Sequence, residues 1–118
     1  MIYTTYYAKL REVPKYMRGF SISNSQPAGT HLPPLWQVTP AWSAVSQYKQ
    51  SGDWDTFRDR YLVRLASVDK DSLLPHLTGG DVVLVCYEKD ASRCHRSILA
   101  EWITKELGLP VKEWGCPE

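Results

Sequence analysis

Four consecutive branched apolar residues, Val82-Val83-Leu84-Val85, run into Cys86, a polar loop and an apolar helix, and this segment constrains the fold most. A run that is apolar at every position, rather than at alternate ones, is a strand covered on both faces, as in a parallel sheet. The following helix spans about 92–107 and carries Ile98, Leu99, Trp102, Ile103 and Leu107 on one stripe. Gly108 ends it and Pro110 prevents its continuation. Strands that alternate with helices build a mainly parallel sheet.

The rest of the chain fits that pattern. Ile2–Ala8 reads as a first strand and Phe20–Ser23 as a second, before a Ser-, Gly- and Pro-rich loop over 24–34. Thr39-Pro40 reads as an N-cap and first-turn proline, opening a helix with Trp42, Val45 and Tyr48 on one side. Ser51-Gly52 ends that helix and Asp53 caps the next. There Trp54, Phe57, Tyr61, Leu62, Leu65 and Val68 form one apolar stripe opposite Asp55, Arg58, Asp59, Arg60 and Arg64. A short helical segment at Asp71–Leu77 and a final strand at Val111–Trp114 complete the order. The expected fold is one α/β domain over residues 1–118. It has a small, mainly parallel sheet of about four strands, with helices packed on both faces.

Composition excludes several classes. The chain has 118 residues, 43% hydrophobic and 23% charged, enough for one core and typical of globular domains. No apolar run is long enough to span a bilayer, so no membrane association is expected. Met1 leads straight into a strand-like segment without a signal-peptide pattern, and three cysteines are an odd count. Reduced thiols in the cytoplasm are therefore expected. A net charge of +1 is too small for a dedicated nucleic-acid binder. Residues 1–50 nevertheless carry Lys9, Arg11, Lys15, Arg18 and Lys49 against Glu12, a local excess of +4. That excess is either a solvated surface or a flank that attracts phosphate.

Chemistry concentrates at the end of the Val82–Cys86 strand, because open α/β folds bind ligands beyond the carboxyl ends of strands. Cys86, Glu88, Cys94, His95 and Arg96 lie within eleven residues there. With Ser92 as N-cap, Cys94 is the second helical residue, where free backbone N–H groups, Arg93 and Arg96 favour a thiolate. The rival reading makes Cys94 and His95 the first buried turn of the apolar stripe, and Cys86 a packing residue. Glu88 suits a general base, a ribose partner or an orienter of His95, and equally a solvated loop residue. Arg96 suits bidentate anion binding, or pairing with Glu88 or Asp90.

Other chemistries fit poorly. A phosphatase-type loop is excluded because six residues separate Cys86 from Arg93, none is glycine, and two are acidic. Cys86, Cys94, Cys116 and His95 are the conceivable metal ligands, but no C-x-x-C knuckle occurs and Cys94 and His95 are adjacent. No metal and no cofactor are expected. A Cys86–Cys94 redox pair lacks the usual two-residue spacing. His31 and His76 read as exposed and idle, and Arg58 and Arg64 as surface ion-pair residues. Trp36, Trp42, Trp54 and Tyr61 read as core rather than as a stacking platform.

Cys86-Tyr87-Glu88 followed by Cys94-His95-Arg96 and an apolar helix resembles the signature of the "domain of unknown function 488" family. Thr39-Pro40, Tyr48-Lys49 and the segment Trp54 to Leu62 extend the similarity, which covers about 36–107. Many members carry an Asp-Val-Arg-type motif and a proline after the second strand. Here that region reads Phe20-Ser21-Ile22-Ser23-Asn24-Ser25-Gln26-Pro27, so the proline has a counterpart and the Asp and Arg have none. Ser23, Asn24 and Ser25 offer neutral hydrogen-bonding groups at the same edge. The resemblance implies a fold and a site rather than a reaction.

The expected function is a small enzyme of thiol or acid/base type. Cys94, His95, Glu88 and Cys86 are its catalytic candidates, and Arg96, Arg93, Ser23 and Ser25 its substrate-binding candidates. The expected partner is an anionic small molecule, a nucleotide or a nucleic-acid fragment. The alternative is a non-catalytic phosphate- or nucleotide-binding or protein-interaction module in which the Cys-His-Arg motif is structural.

Overall fold

The computed structural model describes residues 1–115. Four strands, β1 (Ile2–Tyr6), β2 (Arg18–Ser21), β3 (Val82–Cys86) and β4 (Val111–Glu113), form one sheet in the order β2-β3-β1-β4. Every pairing is parallel, with Ile2 opposite both Val82 and Val111, and Arg18 opposite Val82. The strand at the centre of the sequence argument is flanked on both sides, and all five of its residues are buried. That is why its apolar run is continuous rather than alternating.

The four α-helices, α1 (Trp42–Ser51), α2 (Trp54–Ala66), α3 (Lys70–Leu77) and α4 (His95–Leu107), bury their apolar sides against one face of the sheet. Ile2, Phe20, Val82, Leu84 and Cys86 meet Phe57, Tyr61, Leu65, Leu73, Ile98, Leu99 and Ile103 there. The opposite face, with Val83 and Val85, lies under the 3-10 helix Tyr7–Glu12 and its neighbours Val13, Met17 and Leu32. Helical elements thus cover both faces, the α-helices on one and the 3-10 helix on the other.

Several boundaries differ from the sequence reading: β2 runs Arg18–Ser21 rather than Phe20–Ser23, α3 starts one residue earlier and β4 ends one residue earlier, and three more differ for a local reason. β1 stops at Tyr6 because the chain turns directly into the 3-10 helix. The Thr39 hydroxyl donates back to the Leu35 carbonyl at 2.8 Å, so it does not cap α1; Ala41 holds the N-cap position instead. At α4, Asp90 accepts from both the Ser92 backbone N–H (3.0 Å) and the Ser92 hydroxyl (2.7 Å). The Ser92 hydroxyl is thereby engaged, a short 3-10 turn forms over Ala91–Arg93, and Cys94 becomes the N-cap.

Asp53 caps α2 as its position implies, accepting from the Thr56 N–H at 3.1 Å and the Thr56 hydroxyl at 2.6 Å. Asp53→Ala is expected to lower stability by about 1 kcal/mol. The measurement is a shifted urea midpoint with unchanged slope, and an unshifted midpoint would show the cap to be idle.

Candidate functional site at the carboxyl edge of the sheet

The segments that follow β2 and β3 meet the start of α4 around a cavity of about 530 Å³, within the range of small-molecule sites. Cys94 and His95 form its floor, and Ser23, Asn24 and Ser25 one side. Trp42, Tyr48, Trp54 and Phe57 supply an aromatic wall from α1 and α2, and Pro40, Val45, Lys49, Tyr87, Glu88 and Arg93 complete the lining. Tyr48, Trp54 and Phe57 pack with ring centroids 5.4 Å apart. Lys49 lies 5.5 Å from the Trp42 ring and Arg93 lies 6.0 Å from the Trp54 ring. Two cations against one carboxylate give the cavity a positive bias.

The floor has a defined protonation geometry. His95 Nε2 lies 2.5 Å from the Ile22 carbonyl, which only accepts, so that nitrogen carries the proton. Nδ1 is left with its lone pair, 3.9 Å from Cys94 Sγ. Burial against Tyr61, whose ring meets the imidazole edge-on at 5.6 Å, pushes the His95 pKa down to about 4, only partly opposed by the Ile22 hydrogen bond. At neutral pH the ring is uncharged and basic at Nδ1.

Cys86 and Cys94 are joined by a disulfide, with Cα atoms 7.6 Å apart, which corrects the expectation of reduced, unpaired thiols at these two positions. Arg96 Nη1 donates to Cys86 Sγ at 3.1 Å. Cys94 is not within the first helical turn, so the charge assistance foreseen for its sulfur acts on Cys86 instead.

Arg96 is the clearest departure from the sequence reading. Its side chain is 0% exposed and is absent from the cavity lining. Nε donates to both Glu113 oxygens (3.0 and 3.2 Å), Nη2 to the Lys89 carbonyl (3.0 Å), and Nη1 also to the Glu88 carbonyl. It ties β3, the 87–90 loop and β4 to α4, with its partner Glu113 in place of Glu88 or Asp90. The tryptophans also depart: Trp36 and Trp42 are 56% and 58% exposed, and only Tyr61 of that group is fully buried.

The remaining candidates do reach the cavity. Ser23 is held by Tyr7, whose hydroxyl lies 2.8 Å from Ser21 Oγ and 2.6 Å from Ser23 Oγ, and it donates to the Ser25 carbonyl at 2.6 Å. Glu88 and Arg93 are exposed lining residues. His31 and His76 are exposed and away from it, although His76 meets the Phe20 ring. Arg58 pairs with Glu101, whereas Arg64 donates to the carbonyls of Thr39 and Trp36 rather than to an acid. Of the early basic residues, Lys49 lines the cavity and Arg18 sits at the opposite edge of the sheet, bonded to the end of α3. Cys116 lies outside the described residues.

The sequence reading missed Trp42, Tyr48, Lys49 and Tyr87 as lining residues, whereas Asn24 lies at the edge where it was expected. Tyr87 had a signal, since it directly follows β3 at the ligand-binding edge.

Fold and site together define a small parallel α/β domain with Cys94 and His95 side by side at the carboxyl edge of its sheet. The chain belongs to the DUF488 family: the family model DUF488-N3a, described as the active DUF488-N3 subclade, matches residues 8–107. No curated protein matches the chain, and no solved structure does. Among the described residues, no helix is long and apolar enough to cross a membrane.

Proposed function

We propose that the protein is an enzyme acting on an anionic ligand with a planar aromatic part, of the nucleotide or nucleic-acid-fragment class. One observation carries this reading: an aromatic wall, two cations and the Cys94–His95 pair converge in a single cavity. A base stacks on aromatic side chains without needing specific hydrogen bonds. Lys49 and Arg93 then stand at the rim for the phosphate, and Ser23, Asn24 and Ser25 offer neutral polar groups. Cys94 and His95 are the reacting end. The description of the matched subclade as active agrees with catalysis.

The test separates binding from turnover. Calorimetry with nucleoside monophosphates is expected to show binding that the Lys49→Met/Arg93→Met variant weakens by about tenfold to a hundredfold. Chromatography of the bound nucleotide is expected to show conversion that falls by about 10²–10⁴ in His95→Gln. Binding without conversion in the wild type would favour a non-catalytic binding module. Absence of both would end the nucleotide reading.

A further inference from the structure

We propose that, once a thiol reductant has converted the Cys86–Cys94 disulfide to two thiols, Cys86, Cys94 and His95 are three ligands of one soft divalent metal ion of the zinc class, with its fourth position open to the cavity. Their ligand atoms all lie within 4.8 Å of one another. Tetrahedral zinc, with Zn–S near 2.3 Å and Zn–N near 2.0–2.1 Å, requires such atoms roughly 3.5–3.8 Å apart. Nδ1 of His95 and Sγ of Cys94, at 3.9 Å, are already near that spacing. The Cα separation of Cys86 and Cys94, 7.6 Å, exceeds the 4.4–6.8 Å usual for a disulfide. Reduction of this disulfide by a thiol reductant leaves two cysteine thiols that can move apart around a shared ion.

Adjacency of Cys94 and His95 is not an obstacle here. Cys94 is extended (φ −122°, ψ 143°) while His95 opens the helix, and the change of backbone lets neighbouring side chains point to one place. The surroundings match those of a metal centre. A ligating histidine commonly donates its other ring N–H to a backbone carbonyl, as His95 Nε2 does to Ile22. Arg96 Nη1 donates to the Cys86 sulfur, and Glu113 offsets the arginine's charge. Cys94 and His95 line the cavity and Cys86 does not, so the uncoordinated side of the ion faces the ligand space. Three protein ligands and one open position are the pattern of catalytic rather than structural zinc.

Binding exchanges the two thiol protons for the metal and releases them to solvent. The inference rests on the preceding reading only for what the open position does; uptake of the ion is measured without any nucleotide. Reduced, chelator-treated full-length protein is titrated anaerobically with cobalt(II). One equivalent is expected to give thiolate-to-cobalt charge transfer and intense tetrahedral visible bands, both removed by zinc. Cys94→Ser and His95→Gln are each expected to weaken binding by at least about tenfold. Cys116→Ser is expected to leave the spectrum unchanged, and circular dichroism checks that the variants are folded. No charge-transfer band, or a band that persists in folded Cys94→Ser or disappears in Cys116→Ser, overturns the proposal. Nucleotide binding that persists in metal-free protein would then leave the earlier reading standing on its own.

Discussion

Arg96→Met is expected to destabilise the protein by about 3–5 kcal/mol, the largest effect of any single substitution named here. The side chain is fully enclosed, and its donors meet Cys86 Sγ, the carbonyls of Glu88 and Lys89, and the Glu113 carboxylate. Methionine matches the stem but supplies no donor, so those acceptors lose their partner together. Glu113 keeps some solvent and a hydrogen bond from the Thr4 hydroxyl at 2.7 Å, which places the loss toward the lower end of the range. Arg96→Lys is not expected to rescue. A lysine ammonium is a point donor and cannot span acceptors on three different segments. Adding Glu113→Gln to Arg96→Met removes the unpaired carboxylate and is expected to recover part of the loss, giving a non-additive cycle. Urea unfolding of the four proteins measures it. A loss below about 1 kcal/mol would mean that water replaces the arginine without difficulty.

The same residue shows how far the sequence could be read. The Val82–Cys86 strand was legible to the residue because burial on both faces leaves no polar position to blur its ends. The α2 stripe was legible because Asp53 and Gly52 mark its limits and its period is unbroken. The site's location followed from the same logic, since the carboxyl end of a central strand places Cys86, Cys94 and His95 together. What stayed hidden depended on partners remote in the chain. Arg96 looks like a ligand-binding arginine until Glu113, on the far strand, is known to reach it. Trp42 looks like core until α1 is seen to turn that side toward the cavity rather than the sheet. The α4 N-cap was misplaced because the Asp90 carboxylate engages Ser92 and caps a 3-10 turn over Ala91–Arg93, which moves the start of α4 to Cys94.

His95 carries the second large expectation, a fall in stability on mild acidification of the metal-free protein. Its folded pKa is depressed to about 4, against roughly 6.5 in an unfolded chain. The unfolded state therefore binds the proton first, and the stabilisation present above about pH 6.5 is lost as pH falls toward 4. The loss is expected to reach about 3 kcal/mol by pH 4, less to the extent that water reaches the half-buried ring. The carboxylates of Asp53 and Asp90 are held below their usual range by hydrogen bonds from Thr56 and Ser92, so their contributions are lost only at lower pH. The interval from about pH 6.5 to 4.5 therefore isolates the histidine. His95→Gln keeps a donor for the Ile22 carbonyl without a group that titrates there. Its stability is expected to change less than the wild type's over that interval, in parallel urea series with chelator present. Equal slopes in the two proteins would show that His95 is not held neutral by its surroundings. A steeper wild-type slope would establish that Nδ1 carries a free lone pair at neutral pH, the state that either acceptance of a substrate proton or coordination of a metal requires.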